Sequence, residues 1–129
     1  MEAKTRQVII VSLVGLVILG GTVYFLNRES GPGPLDPLAQ CIKDSGTIFY
    51  GAFWCPHCQT QKAAFGASER LLPYVECSTP DGNSQVALCV DKGVKSYPTW
   101  VYPDGSIETG KQTPQHLAEK TGCEMPKQP

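Results

Sequence analysis

The sequence offers almost no net charge to a polyanion. Eleven Lys and Arg face 12 Asp and Glu across 129 residues, a formal −1 at pH 7. No basic stripe interleaves with aromatic residues. Both absences argue against nucleic acid as a partner. Residues 8–26, VIIVSLVGLVILGGTVYFL, contain no charged side chain, and no A-x-A cleavage site follows them. No histidine follows Cys58 directly; Gln59 stands there instead, which excludes covalent c-type haem attachment. What the chain does have is six cysteines, an even count that suits an oxidising compartment.

The uncharged run, at ~1.5 Å per residue, spans ~28 Å as a helix, about one hydrocarbon core. Lys4 and Arg6 precede it, while Arg28 is offset by Glu29. The positive-inside rule then places residues 1–7 in the cytoplasm and everything after Leu26 outside, in a periplasmic or equivalent space. Tyr24 and Phe25 fall near the outer interface. The run exceeds a usual signal-peptide core, so an uncleaved single-pass anchor in the lipid bilayer is preferred to a cleaved signal peptide. Residues 27–37, NRESGPGPLDP, are Gly/Pro-rich without apolar period and read as a tether. Residues 38–129 remain for one modest domain.

Within that domain the stretch 47–62, TIFYGAFWCPHCQTQK, changes from an apolar, β-branched and aromatic run to a polar one at Trp54. It reads as a buried strand over 47–53 feeding a helix that opens on Cys55-Pro56-His57-Cys58. Proline suits the first turn of a helix. Unpaired N–H groups and the helix dipole there favour an anion, which makes Cys55 a nucleophile. Cys58 follows one turn later on the same face, within disulfide reach. The unit reads as a redox centre.

Around it, residues 38–44 form a short amphipathic helix, and the helix from Cys55 runs to Phe65, interrupted at Gly66 and closed by Pro73. Residues 74–77 are a second strand, 78–83 a turn-rich loop, and 84–92 a third helix stopped by Gly93. A strand over 96–102, a turn at Pro103-Asp104-Gly105-Ser106 and a return strand over 107–109 make a hairpin. Thr113-Pro114 caps a last helix that Gly122 ends. This order predicts an α/β domain with a mixed, about four-stranded sheet and helices on both faces. The first two strands are parallel, the last two antiparallel.

The remaining cysteines leave alternatives open. A CxxC pair also builds zinc sites, and Cys77 and Cys89 could complete a four-cysteine set. A zinc knuckle, however, needs neither a strand feeding a helix nor a Tyr-Pro-Thr-Trp strand opposite, so no metal is expected. Cys77 and Cys89 are either a structural disulfide worth roughly 3 kcal/mol or a second redox pair. The first is preferred because they lack close spacing and a helix N-terminus. Cys41 and Cys123, at the two ends of the domain, either pair as a staple or stay separate buried thiols. His57, between the active cysteines, is read as an electrostatic contributor and His116 as solvent-facing. Trp54 and Trp100 flank the two motifs, as core packing or as surface that grips unfolded chains. Phe65, Leu71 and Tyr74 read as core.

Strand–WCPHC–helix followed by Ser96-Tyr97-Pro98-Thr99-Trp100 and a hairpin resembles the thioredoxin superfamily. YGAFWCPHC, LPYVEC, the third-helix cysteine, SYPTW and LAEKTGC together resemble, over residues 38–123, one group within it. That group is the thioredoxin-like domain fused to or partnered with bacterial vitamin K epoxide reductase homologues. The resemblance implies a thioredoxin-like fold, with Cys55 as attacking thiolate and Cys58 as resolving thiol. It also implies Pro98 as a cis-proline against the redox pair, and Tyr97 as a backbone partner for a bound polypeptide that adds as a short strand. Pro56-His57 matches the dipeptide of strongly oxidising periplasmic thiol oxidases. One departure stands out: many relatives carry a buried carboxylate where this chain has Phe49, which leaves the proton acceptor for Cys58 unassigned.

The expected function is a membrane-tethered, extracytoplasmic thiol–disulfide oxidoreductase. It would donate disulfides to cysteine-containing polypeptides, with no cofactor beyond the Cys55–Cys58 pair. A separate membrane quinone reductase of the vitamin K epoxide reductase type would reoxidise it. The alternatives are a reductase or isomerase with reversed electron flow, and a non-catalytic zinc or adaptor module.

Overall fold

The computed structural model describes residues 2–26 and 31–127, in two units, the first ending at Gly31 and the second starting at Pro32. The first unit is a helix, α1 (Glu2–Leu26). Its stretch Lys4–Tyr24 is long and apolar enough to cross a membrane, a test that a signal sequence also passes, and none of it is buried. Thr22 turns its hydroxyl inward, donating to the carbonyls of Ile18 (3.0 Å) and Leu19 (2.9 Å), so it adds no unsatisfied polar group to an apolar surface. Residues 27–30, the first part of the expected tether, lie outside the described residues, as do Met1, Gln128 and Pro129.

The tether is shorter than its composition suggests. Leu35 donates its N–H to Ser68 Oγ at 3.1 Å, and Asp36 pairs with Arg70 at 2.6 Å. Gly33 lies so close to Ser68 that a Cβ there would collide with its hydroxyl and backbone. The domain therefore takes in residues 33–37. Helix α2 (Asp36–Asp44) starts ahead of Leu38 because Pro37 sits in its first turn, where no N–H is needed.

Four strands form the sheet: β1 (Ile48–Gly51), β2 (Tyr74–Glu76), β3 (Thr99–Val101) and β4 (Ile107–Thr109), in the order β2-β1-β3-β4. β1 and β2 are parallel; β3 runs antiparallel to both β1 and β4. Alternation along β1 sends Phe49 to one face and Ile48 and Tyr50 to the other. On the Phe49 face pack α2, α3 (Pro56–Ala63) and α5 (Pro114–Thr121), bringing Leu38, Ile42, Phe65 and Leu117 around Trp100. Phe49 stacks on Trp100 at 4.6 Å and meets Tyr74 edge-on at 5.0 Å. Complete burial of Phe49 contributes about 1.5–3 kcal/mol. The opposite face is thinner: Tyr50, Cys77, Cys89 and Val94 pack beneath α4 (Ala87–Asp91).

Two disulfides close the domain. Cys41–Cys123 joins α2 to the segment after α5, and Cys77–Cys89 joins the end of β2 to α4. The caps follow local chemistry. Thr113 Oγ1 accepts the His116 N–H at 3.1 Å at the start of α5, and Gly122 ends it with a φ of 71°. In the hairpin turn, Gly105 has a φ of 82° and Asp104 Oδ1 accepts the Ser106 N–H at 2.9 Å.

Several elements are shorter than the residue pattern predicts. β1 ends at Gly51, because the Ala52 carbonyl accepts the Cys55 N–H in a turn; Phe53, expected in the strand, is 48% exposed. α3 ends at Ala63, and Gly66–Leu71 forms a separate 3-10 turn. α4 starts at Ala87 rather than Ser84. Ser84 and Val86 spend backbone groups on Thr79 and Cys77 instead, and Ser78 and Gln85 form a β-bridge.

Candidate active site

β1 delivers the chain to the site through buried Gly51 and Ala52, and the 52–55 turn throws Phe53 and Trp54 outward. Cys55 then stands at the N-cap of α3 in extended conformation (φ −78°, ψ 117°), its carbonyl accepting the Gln59 N–H at 3.1 Å. Pro56 occupies the first turn and His57 is exposed on the outer side. One turn later Cys58 points inward. Cys55 is 5% exposed and Cys58 1%; both are free thiols. The pair is thus graded in access, with Cys55 at the rim and Cys58 behind it.

The facing wall is the entry to β3. The Tyr97–Pro98 peptide bond is cis, and Cys55 Sγ donates weakly to the Tyr97 carbonyl at 3.7 Å. Thr99 Oγ1 donates to the Ser96 carbonyl at 2.7 Å, fixing this corner. Trp54, half exposed, meets the Tyr97 ring edge-on at 6.0 Å, and its Nε1 donates to Ser78 Oγ at 2.9 Å. Beside the pair, Trp54, Ser78, Gln85, Val94, Lys95 and Tyr97 line an open cleft of about 430 Å³. Cys77–Cys89 braces the loop that forms its far side.

Beneath Cys58 lies a group that residue-by-residue reading of the sequence leaves unassigned. A Cβ on Gly51 would stand 2.6 Å from the Tyr74 ring and 3.0 Å from Cys58 Sγ, so glycine is what lets ring and thiol approach there. The Tyr74 hydroxyl donates to Glu76 Oε2 at 2.7 Å. Glu76 Oε1 accepts the N–H groups of Phe53 (3.2 Å) and Ser78 (2.9 Å), pinning the active-site turn from β2. Lys62 Nζ sits 3.5 Å from the Tyr74 ring centroid. Burial pushes the Cys58 thiol up to about 12. The Ala52 backbone pulls it down, Cys55 pushes it further up, and the Lys62 charge pulls it down. Burial, together with the bond to Glu76, also pushes the Tyr74 phenol up. The spacing of Lys62, four residues after Cys58 on one helix face, is the signal that could have found this cluster. Tyr74, read as core, has its ring at Cys58.

The structure therefore brings Trp54, Cys55, Cys58, Tyr97 and Pro98 together, with Pro56 and His57 on the solvent side. Cys77, Cys89, Cys41 and Cys123 are occupied in their bridges. A four-cysteine zinc set would need Cys77 and Cys89 as thiolates, and each already holds the other. No group of three or more His, Cys, Asp or Glu among the described residues is placed to hold a metal ion. His116 is not merely solvent-facing: its Nε2 lies 2.8 Å from Glu108 Oε2, which also accepts the Tyr102 hydroxyl at 2.8 Å. Gln61, buried in α3, exchanges two hydrogen bonds with the Gln112 backbone and ties α3 to the start of α5.

No family model matches the chain. Among curated proteins it is similar to thiol-disulfide oxidoreductase LTO1 of Arabidopsis thaliana, 39% identical over an alignment of 93 residues that covers 68% of this chain. The chain spans about a quarter (24%) of that relative's length. With the sheet order, the two-sided helix packing and this similarity, the fold is α/β and thioredoxin-like, preceded in sequence by one apolar helix.

Proposed function

We propose that this chain is a protein thiol–disulfide oxidoreductase, anchored by residues 8–26 with its catalytic domain on the extracytoplasmic side, that donates disulfides to cysteine-containing polypeptides. The observation that carries it is the graded pair at the start of α3: Cys55 faces the Tyr97 carbonyl at the rim, and Cys58 lies behind it against Gly51. The similarity to a protein named as a thiol-disulfide oxidoreductase supports the same chemistry.

In the oxidising direction a substrate thiolate attacks Cys55 Sγ of the Cys55–Cys58 disulfide. The substrate–Cys55 bond forms, the Cys55–Cys58 bond breaks, and the electron pair leaves on Cys58, which takes up a proton. A second substrate thiolate then attacks the substrate sulfur of the mixed disulfide. Cys55 leaves, the substrate has lost two electrons, and the pair on the protein has gained them. A membrane quinone reductase of the vitamin K epoxide reductase type accepts those electrons and restores the disulfide. Pro98, Tyr97 and Trp54 bind the substrate backbone and its neighbouring side chains. His57 and Pro56 favour the reduced pair and so strengthen the disulfide as oxidant.

The test is a Cys58→Ala variant of the full chain, which has lost the resolving thiol. Expressed in its host, it should accumulate mixed disulfides through Cys55 on non-reducing gels, and these should vanish in Cys55→Ala/Cys58→Ala. An empty gel would refute the exchange reading. Direction is read from the reduction potential of the pair: near about −120 mV it donates disulfides, near about −270 mV electron flow reverses and the protein is a reductase.

A further inference from the structure

We propose that Lys62 is the positioning residue for Cys58, a fixed cation that, where no buried carboxylate is present, stabilises the Cys58 thiolate whenever it forms, while solvent takes the proton. The inference deepens the exchange reading above and rests on it.

The need arises from the core. Position 49, on the strand before the motif, holds Phe49, stacked on Trp100 and fully buried, so β1 supplies Cys58 with no ionisable partner. Phe49, Gly51 and Ala52 are all apolar or side-chain-free. The charged or titratable groups facing the thiol come from elsewhere: Cys55 and Lys62 on α3, Tyr74 with Glu76 on β2, and Tyr97 on the opposite wall. Lys62 is the cation among them. A thiolate at a site 1% exposed is costly to form without such a charge.

The cation is held rather than left to roam. Its Nζ lies 3.5 Å from the centroid of Tyr74, within the range of a favourable cation–π contact. Tyr74 is clamped in turn by its 2.7 Å hydrogen bond to Glu76, whose other oxygen is taken by the Phe53 and Ser78 N–H groups. The same ring borders Gly51 beside Cys58 Sγ. Helix spacing completes the arrangement, since residues four apart share a face.

The role is exercised in either direction of exchange. When Cys58 resolves a mixed disulfide on Cys55, its thiol gives up a proton to solvent, and its electron pair bonds to Cys55 Sγ. The bond from Cys55 to the departing sulfur breaks, and that sulfur leaves as a thiolate. When Cys58 is instead expelled from the Cys55–Cys58 disulfide, it carries the negative charge before protonation. Lys62 faces the same developing charge in both steps.

The experiment reacts the reduced full chain, in detergent, with glutathione disulfide, using rapid acid quenching and mass measurement. The first step forms the Cys55–glutathione mixed disulfide and does not use Cys58; it is timed in a Cys58→Ala background. The second step, release of glutathione by Cys58, is timed with Cys58 present. Losing the cation should cut the thiolate fraction about tenfold, partly offset by about threefold greater nucleophilicity of the more basic sulfur. Lys62→Met should therefore slow release about threefold or more, slow the first step less than twofold, and be rescued to within about twofold by Lys62→Arg. Release as fast as wild type in Lys62→Met, or an Arg variant as slow as the Met variant, overturns the assignment to Lys62 while leaving the exchange reading standing. A wild-type chain that never releases glutathione from Cys55 overturns both.

Discussion

Cys55 Sγ lies 3.7 Å from the carbonyl oxygen of Tyr97, 42 residues further along the chain. The contact joins the start of α3 to the corner that enters β3, and in the proposed exchange it marks where an incoming sulfur arrives. With Cys58 behind Cys55 and out of solvent, the two sulfurs are separated in access; in the proposed exchange the outer one meets substrate and the inner one completes the reaction.

That separation has a pH signature. Burial pushes the Cys58 thiol up to about 12, so at neutral pH almost every copy is protonated and the thiolate fraction grows tenfold per pH unit. Release of glutathione from the Cys55 mixed disulfide should rise with a slope near one in log rate against pH, from about pH 6 to 9, without a plateau. A levelling below pH 9 would contradict the burial assigned to Cys58.

Gly51 is the narrowest point beneath the pair. An added Cβ would stand 2.6 Å from the Tyr74 ring and 3.0 Å from Cys58 Sγ. Gly51→Ala should destabilise the fold by about 1–3 kcal/mol, as overpacking does, and slow release by displacing Cys58. Urea unfolding midpoints and the release assay measure the two effects separately.

The two disulfides should contribute unequally. Cys41–Cys123 closes a separation of 82 residues and Cys77–Cys89 one of 12. Loop entropy predicts that replacing the first pair by alanines costs about 1–2 kcal/mol more than replacing the second. Equal shifts in denaturant midpoint would show that strain or packing, not chain entropy, dominates. Loss of Cys77–Cys89 should also weaken peptide substrates more than glutathione, because that bridge braces the loop beside the Trp54 cleft.

Asp36 and Arg70 give an acid-side test of where the domain begins. The Arg70 hydrogen bonds hold the Asp36 carboxyl at about 2, below its ordinary 3.8. A depressed acid adds stability above its unfolded value and loses it as pH falls through the folded one. The difference in thermal midpoint between wild type and Asp36→Asn should therefore be constant above about pH 5 and close between about pH 4 and 2. The pair is exposed, so the difference should be small and shrink with salt.

Much of this molecule is decided within short stretches of chain. The apolar run of 47–53, the proline after Cys55 and the one-turn spacing to Cys58 fix a strand, a turn and a helix that opens on two thiols. Backbone sterics, capping and side-chain periodicity act over a few residues. The same holds for Thr113 at the start of α5, Gly122 at its end and the Asp104-Gly105 turn. Only the tertiary structure decided which cysteines pair among Cys41, Cys77, Cys89 and Cys123, since each bridge depends on elements brought together by sheet order. It also decided that α4 starts late, because residues 84–86 bond to 77–79 instead of to a helix, and that residues 33–37 belong to the domain through Ser68 and Arg70. Tyr74 reads as an ordinary core residue until β2 is laid parallel to β1. Then its ring borders Gly51 beside Cys58 and lies under Lys62; the Cys58–Lys62 spacing is local, but the approach of Tyr74 is not, because it joins positions on three different elements.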